Sequence, residues 1–422
     1  MKLSSILPRL LAVAALFLSI SSCSENLDSS GVCNVLCPPI GGDVKTITLD
    51  AAVEVDTAVQ SFSGLGTDPS LLLAKRGDTL DTRVIIRFDS LPQTFLPAGD
   101  TAQPIKSVDS AYIQLIVDTL SIKSTDPVTI EAYDVDTTAN DTSTAAVLAL
   151  FRPDRFISSQ TFTRAQLTDT LKYFISNDAV LSRIQNNQPL RVGLRATGSP
   201  GSSQLRMSAT ESPAGGPVLF FRATPDTATK PLVVLPFSRT PTDDRILAAV
   251  LVDYTVIAEA PAEAPPGVLA VGGLPARRTY FRFIIPDSII DSSTVVRATL
   301  LLNQIANTAI DPNDTVKVVP QIVLAGKVVT DPTKASQIIA AVTADTLRLK
   351  PGGSGETAVE LARAFALWHT APPDTLPRAI VLQSAVEGSS PLEIRFSSSE
   401  DIAALRPRLR ISYTSRVPLG LP

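Results

Sequence analysis

Groups able to do chemistry are few in this chain of 422 residues, and the shortage narrows the possibilities. There is one histidine, His369, and there are three cysteines, Cys23, Cys33 and Cys37. Most transition-metal centres and Ser-His or Cys-His catalytic arrangements therefore lack their residues. Carboxylates are plentiful, which leaves calcium coordination and two-carboxylate hydrolysis open. The densest set of hard oxygen donors is Asp134-Val-Asp136-Thr-Thr-Ala-Asn140-Asp141, without the glycine and closing glutamate of a helical calcium loop. Asp-Thr pairs beginning at Asp78, Asp118, Asp169, Asp345 and Asp374 read as turns at strand edges. Trp368 and His369 end an expected helix, the first as a core residue and the second where a cation suits the helix dipole. No nucleophile elbow, phosphate loop or dinucleotide fingerprint occurs.

Arginines form the other chemical pattern. Strand alternation puts Arg406, Arg408 and Arg410 on one face, with Leu409 and Ile411 on the other, and groups Arg278, Tyr280 and Arg282 in the same way. Three cations on one face can bind a polyanion, such as a uronic-acid polysaccharide, through charge-assisted hydrogen bonds. The plainer reading is a solvated outer face with Glu393 or another carboxylate opposite. Arg83 and Arg87 occupy the matching positions in the first copy of a repeat, which favours a role shared by the fold. A formal charge of −4 offers no basic excess for nucleic acid. With 44% hydrophobic and 18% charged residues the chain is too apolar for disorder, and at 5% aromatic it is poor in rings that stack on sugars or bases.

These residues must be placed by the elements around them, beginning with the N-terminus. Lys2 and Arg9 precede an apolar run over residues 10–20, and Ile20-Ser-Ser-Cys23 follows. That is the build of a secretory signal, too short for a spanning helix. Its end resembles the lipobox of bacterial lipoproteins, which implies a signal peptide over 1–22, lipidation of Cys23 and, with Ser24 next, the outer membrane. Residues 23–43, rich in Ser, Asn, Gly and Pro, read as a flexible tether. Within it Cys33 and Cys37 are disulfide candidates in an oxidising compartment.

The remainder is an internal duplication with a spacing of roughly 190 residues, suited to tandem whole domains. Thr82-Arg-Val-Ile-Ile-Arg-Phe88 returns as Arg277-Arg-Thr-Tyr-Phe-Arg-Phe283, and Leu205-Arg-Met-Ser-Ala-Thr-Glu211 as Ile394-Arg-Phe-Ser-Ser-Ser-Glu400. Domain one is placed at 44–225, domain two at 226–416 and a tail at 417–422, with a Pro/Thr-rich join over 224–244. Short Val/Ile/Leu/Thr runs of period two, separated by turn residues, predict an all-β fold of two antiparallel sandwiches. One short helix is expected in each: residues 178–185, and residues 358–368 behind a capping box at Thr357-Ala-Val-Glu360 and stopped by Pro372-Pro373.

Arg83-Val-Ile-Ile-Arg-Phe-Asp-Ser-Leu-Pro92, Ile105-Lys-Ser-Val-Asp-Ser-Ala-Tyr-Ile-Gln-Leu115, Val359-Glu-Leu-Ala-Arg and Arg406-Pro-Arg-Leu-Arg-Ile-Ser-Tyr413 resemble the DNRLRE-type, carbohydrate-binding-module-like jelly-roll domains. The likeness covers both copies through loose motifs. It implies jelly rolls outside the cell, associated in some members with calcium and in others with acidic polysaccharide. The first copy departs from it by lacking the helix tryptophan and the arginines of the closing strand. The expectation is a non-enzymatic, lipid-anchored cell-envelope protein that is structural or binds an envelope protein, with binding of acidic polysaccharide as the alternative. No cofactor is expected, calcium being the one candidate.

Overall fold

Period-two alternation becomes strand almost wherever the sequence carries it. The computed structural model describes residues 44–50, 52–60, 68–97, 101–124, 126–136, 143–197, 203–223, 231–239, 252–324, 339–343 (backbone only), 346–371 and 376–415. The expected signal peptide, the tether with Cys23, Cys33 and Cys37, and the tail lie outside these residues.

The elements in chain order are β1 (Lys45–Leu49), β2 (Val53–Gln60), β3 (Ser70–Arg76), β4 (Leu80–Phe88), the two-residue β5 (Thr94–Phe95) and β6 (Gln103–Pro104), β7 (Val108–Ile116), β8 (Val128–Asp134), α1 (Thr144–Leu148), β9 (Phe156–Phe162), β10 (Thr170–Phe174), α2 (Asn177–Gln185), β11 (Leu190–Thr197), β12 (Ser203–Ser208), β13 (Val218–Ala223), β14 (Leu232–Val234) and β15 (Asp253–Glu259). They continue with β16 (Val268–Gly272), β17 (Arg277–Phe283), α3 (Asp287–Ile290), β18 (Ser293–Ile305), β19 (Val316–Val323), β20 (Ile339–Thr343), β21 (Leu347–Leu349), β22 (Gly355–Glu360), α4 (Ala362–Thr370), β23 (Ala379–Ser384), β24 (Glu393–Ser397) and β25 (Arg408–Ser415).

In the first sandwich a sheet ordered β10-β7-β13-β14 faces one ordered β12-β3-β4-β11-β8-β9. Between them lie Ile113 and Leu115 of β7, Leu219 and Phe221 of β13, and Val84, Ile86 and Phe88 of β4. Each such side chain contributes about 1.5–3 kcal/mol by leaving water. In the second sandwich β18 is long enough to pair with both β22 and β24, so one sheet runs β1-β25-β18-β24-β16-β17-β23-β19-β20 and folds over its own core of Leu300, Leu302, Phe281, Ile394, Phe396, Leu409 and Ile411. The fold is thus all-β, antiparallel and sandwich-like, with few helices.

Strand pairing does not follow chain order. β1 pairs with β25 and β2 with β17, both in the second sandwich. Reciprocally, β14 pairs with β13 and β15 with β4, in the first. The leading strands of each copy complete the other copy: β1 and β2 join the second core, and β14 and β15 join the first. Arg76 pairs with Asp311 at 2.9 Å and Lys123 with Asp314 at 2.8 Å, while Leu274 joins Leu72, Ala74 and Leu80 in a small apolar cluster.

Helix α2 lies where the sequence places it, capped by the Ser176 hydroxyl, which accepts from the Ala179 N–H. The second helix does not. Thr357-Ala-Val-Glu360 forms strand β22 against Thr299–Leu302 of β18, and α4 begins only at Ala362 with no side-chain cap. Val359 is buried and Glu360 reaches Arg297 at 2.9 Å, so alternation outweighs the capping-box spacing. Pro372 and Pro373 lie outside the described residues.

Candidate functional site

The outer face of the first sandwich's smaller sheet carries an arrangement that sequence reading missed. Since Tyr173, Ala111, Ile113, Leu219 and Phe221 point into the core, alternation turns Phe174, Tyr112 and Phe220 outward. Register then aligns them: Phe174 is opposite Tyr112, Tyr112 opposite Phe220, and Phe220 opposite Val233 on the short edge strand β14. Four apolar side chains thus run in one row across four strands. Tyr112 and Phe220 have ring centroids 5.1 Å apart with planes 12° from parallel, and Phe174 lies 5.7 Å from Tyr112. Lys172 places its Nζ 5.1 Å from the centre of the Tyr112 ring.

Phe174 is 52% exposed and Val233 56%, and Leu235, 67% exposed, follows Val233 on the same edge. The stacked rings turn their faces to each other and their edges outward, a surface for packing against apolar side chains rather than a flat platform. Tyr112 and Phe220 between them are half-buried, so the row joins two exposed apolar ends through partly exposed rings, and apolar surface of this kind marks interaction sites. The outward apolar positions on β10, β7 and β13 were the available signal, but their alignment depends on register.

The matching positions of the second sandwich are polar. Glu360 is opposite Thr299, and Arg410 opposite Thr48. Arg406 precedes β25 and donates from Nε to the Asp401 carbonyl oxygen at 2.6 Å. Arg408 holds Glu356 at 2.7 Å, and Arg410 is exposed. On β17, Arg278 grips Glu387 with Nε and Nη2 at 2.9 and 2.8 Å, and Arg282 pairs with Glu54 of β2 at 2.8 Å. Tyr280 is buried against Val323, Ala379 and Val381, and burial pushes its hydroxyl up to about 12. Glu393 pairs with its neighbour Arg395. In the sheet order β18, β24 and β16 stand between β25 and β17, so the two arginine groups are not brought into one site.

The oxygen-rich segment at Asp134 is a salt-bridge network. Arg183 binds both Asp134 and Asp136, and Arg191 approaches Asp136 at 3.6 Å. Arg191 also makes two parallel bonds, at 2.9 and 2.8 Å, to Asp89, whose side chain is wholly buried. Arg155 donates to the Asp134 and Asp136 carbonyl oxygens. Burial raises the Asp136 carboxyl above its ordinary range against the pull of Arg191 and Arg183. The carboxylates a cation would use are engaged by guanidinium groups, and Asn140 and Asp141 lie outside the described residues. Among the described residues no three His, Cys, Asp or Glu side chains are grouped to hold a metal ion.

Two clefts adjoin these features. One of about 250 Å³ lies beside Asp134, Arg155, Phe156, Ser182 and Arg183. Another of about 350 Å³ follows β2, lined by Asp56, Glu263, Arg277, Gly267 and Glu400. His369 uses Nδ1 on the Ile290 carbonyl oxygen at 2.7 Å, and Trp368 packs on Phe365 and Phe283.

No family model matches the chain, and no curated protein matches it. Among solved structures, the C-terminal domain of the Streptococcus pyogenes antigen I/II-family protein AspA aligns at 10% identity over 84% of this chain and 92% of that one, with a TM-score of 0.15. The tandem CBM22 domain of Paenibacillus barcinonensis Xyn10C aligns at 8% identity over 89% and 98%, with a TM-score of 0.14. The T13 particle of IBDV aligns at 10% over 86% and 74%, with a TM-score of 0.13. Likenesses of this strength carry no argument about what the chain does.

Proposed function

We propose that this chain is a non-enzymatic, lipid-anchored protein of the cell envelope that holds a partner protein against the aromatic face of its first sandwich. The observation that carries the reading is the outward row Phe174, Tyr112, Phe220 and Val233, aligned across four strands with its two ends exposed and its two middle rings half-buried. Aromatic side chains on a rigid sheet lose little entropy on binding and dominate interface energetics. The exchanged strands suit such a role because they tie two cores into one supporting body. The anchor rests on the Ile20-Ser-Ser-Cys23 segment, and the outer-membrane assignment on Ser24.

The test replaces Phe174 and Phe220 together by Ser in the full-length protein. Both side chains lie on the outer face, Phe174 exposed and Phe220 half-buried against Tyr112, so the thermal unfolding midpoint should fall only by the few degrees that the lost ring contacts account for. A protein co-purifying with the wild type from its native envelope should fall at least about tenfold in recovery with the variant, the scale of two interface hot spots. Equal recovery would overturn the proposal. Acidic polysaccharide binding by Arg406, Arg408 and Arg410 remains the second reading, favoured by the exposure of Arg410, but Arg408 would have to exchange Glu356 for the polyanion.

A further inference from the structure

The exchanged strands carry the same latch twice. On β2 the Asp56 carboxylate accepts from the Ser399 N–H at 2.6 Å and from the Ser399 hydroxyl at 2.5 Å. On β15 the Asp253 carboxylate accepts from the Thr210 N–H at 3.0 Å and from the Thr210 hydroxyl at 2.8 Å. Asp56 stands opposite Phe281 and Asp253 opposite Ile86, equivalent positions of the repeat. Ser399 and Thr210 each precede the glutamate that ends the repeated closing motif. Each incoming strand also serves an equivalent arginine: Glu54 pairs with Arg282, and the Tyr254 hydroxyl accepts from Arg87. Each sandwich is therefore a strand acceptor that recognises an antiparallel backbone, a carboxylate at one register position and a partner for one arginine.

The two donors are attached differently. β14 and β15 lie between β13 and β16, so folded strands hold them on both sides. Among the described residues, β1 and β2, which pair with β25 and β17, have a folded strand after them in the chain, β3, and none before them. We propose that Lys45–Gln60 is an exchangeable donor, and that β1 and β2 of one copy of this chain complete the second sandwich of another copy. The second copy is the occupant the chemistry selects. Pairing between chains recreates every backbone bond, the Asp56–Ser399 latch and the Glu54–Arg282 pair, and two copies can satisfy each other reciprocally in a closed dimer. Within one chain the donor is presented at an effective concentration on the order of millimolar, so dilute protein stays closed and exchange grows with chain concentration.

Register supplies the experiment, because Gln60 lies opposite Arg277. One full-length chain carries Gln60→Cys and a second carries Arg277→Cys, each with the three native cysteines replaced by Ser. The two are mixed, unfolded, refolded together over a concentration series and oxidised. A chain carrying both substitutions serves as the intrachain control. The expected result is an interchain disulfide between the two different chains, identified by mass spectrometry, in a species of twice the chain mass. Its share should rise about tenfold for a tenfold rise in concentration while the control stays constant. Interchain disulfides no more frequent between unlike chains than between like ones, with the control closing normally, would overturn the proposal. Failure of the control to close would overturn it too, by removing the register on which it stands. Neither outcome bears on the aromatic face.

Discussion

Asp253→Asn tests the energetics of the strand exchange most directly. Asp253 is 1% exposed, and burial, opposed by its bonds from Thr210 and reinforced by nearby Glu211, pushes its carboxyl from an ordinary 3.8 up to about 6. Between those values the folded chain holds a proton that the unfolded chain has released, so stability falls as pH rises through the window. The full change is about 3 kcal/mol at 1.36 kcal/mol per pH unit. Stability from this group is therefore greatest below pH 4, is lost between about pH 4 and 6, and stays lost at neutral pH. Asparagine keeps the shape and an oxygen for Thr210 but cannot ionise. At pH 7 the variant should be more stable than wild type, by up to about 3 kcal/mol, and the two should converge towards pH 4. The measurement is urea unfolding of both proteins at intervals from pH 4 to 8, comparing midpoints at constant slope. Glu211, also raised by burial, will leave a smaller fall with pH in the variant. A variant less stable than wild type at pH 7, or a wild type whose stability does not fall across this window, would refute the reasoning.

Three further outcomes follow. Arg191→Ala leaves Asp89 buried without its two-bond partner and should cost about 3–5 kcal/mol by urea unfolding, whereas Arg406→Ala at an exposed position should stay within about 0.5 kcal/mol. Cys23→Ser should release the protein from the membrane fraction into the soluble one, and continued membrane fractionation would sink the anchor. Reversing Arg406, Arg408 and Arg410 to Glu should leave elution from an alginate column at low salt unchanged if the aromatic face is the binding surface. A wild type retained there and a variant that is not would move the function to the arginine face.

Much of the architecture is legible in local pattern. The alternation of Val108–Ile116 shows which side chains enter the core, and the returning Arg-x-x-x-Arg-Phe motif marks β4 and β17 as equivalent. The helix expected over 178–185 forms as α2, Asn177–Gln185, capped by Ser176 and burying Val180 and Ile184. The misplaced start of the second helix has a physical cause as well: Thr357 and Glu360 fit a helix N-terminus by spacing, but Val359 buries as a strand residue and β18 offers a full ladder to pair with. The arginines illustrate the limit. Their types and faces are visible in sequence, but the partners that engage Arg278 and Arg408, Glu387 and Glu356, lie 109 and 52 residues away.

Composition, the repeat and period-two alternation belong to the chain alone, because side-chain direction along a strand depends only on local backbone geometry. Which strand lies beside which does not, since the backbone ladder is nearly blind to side-chain identity and closes wherever the apolar faces meet. Tertiary packing therefore made the reciprocal exchange of β1–β2 and β14–β15. It also gathered Tyr112, Phe174 and Phe220, rings scattered through a chain poor in aromatics, into the one row on which the proposed function rests.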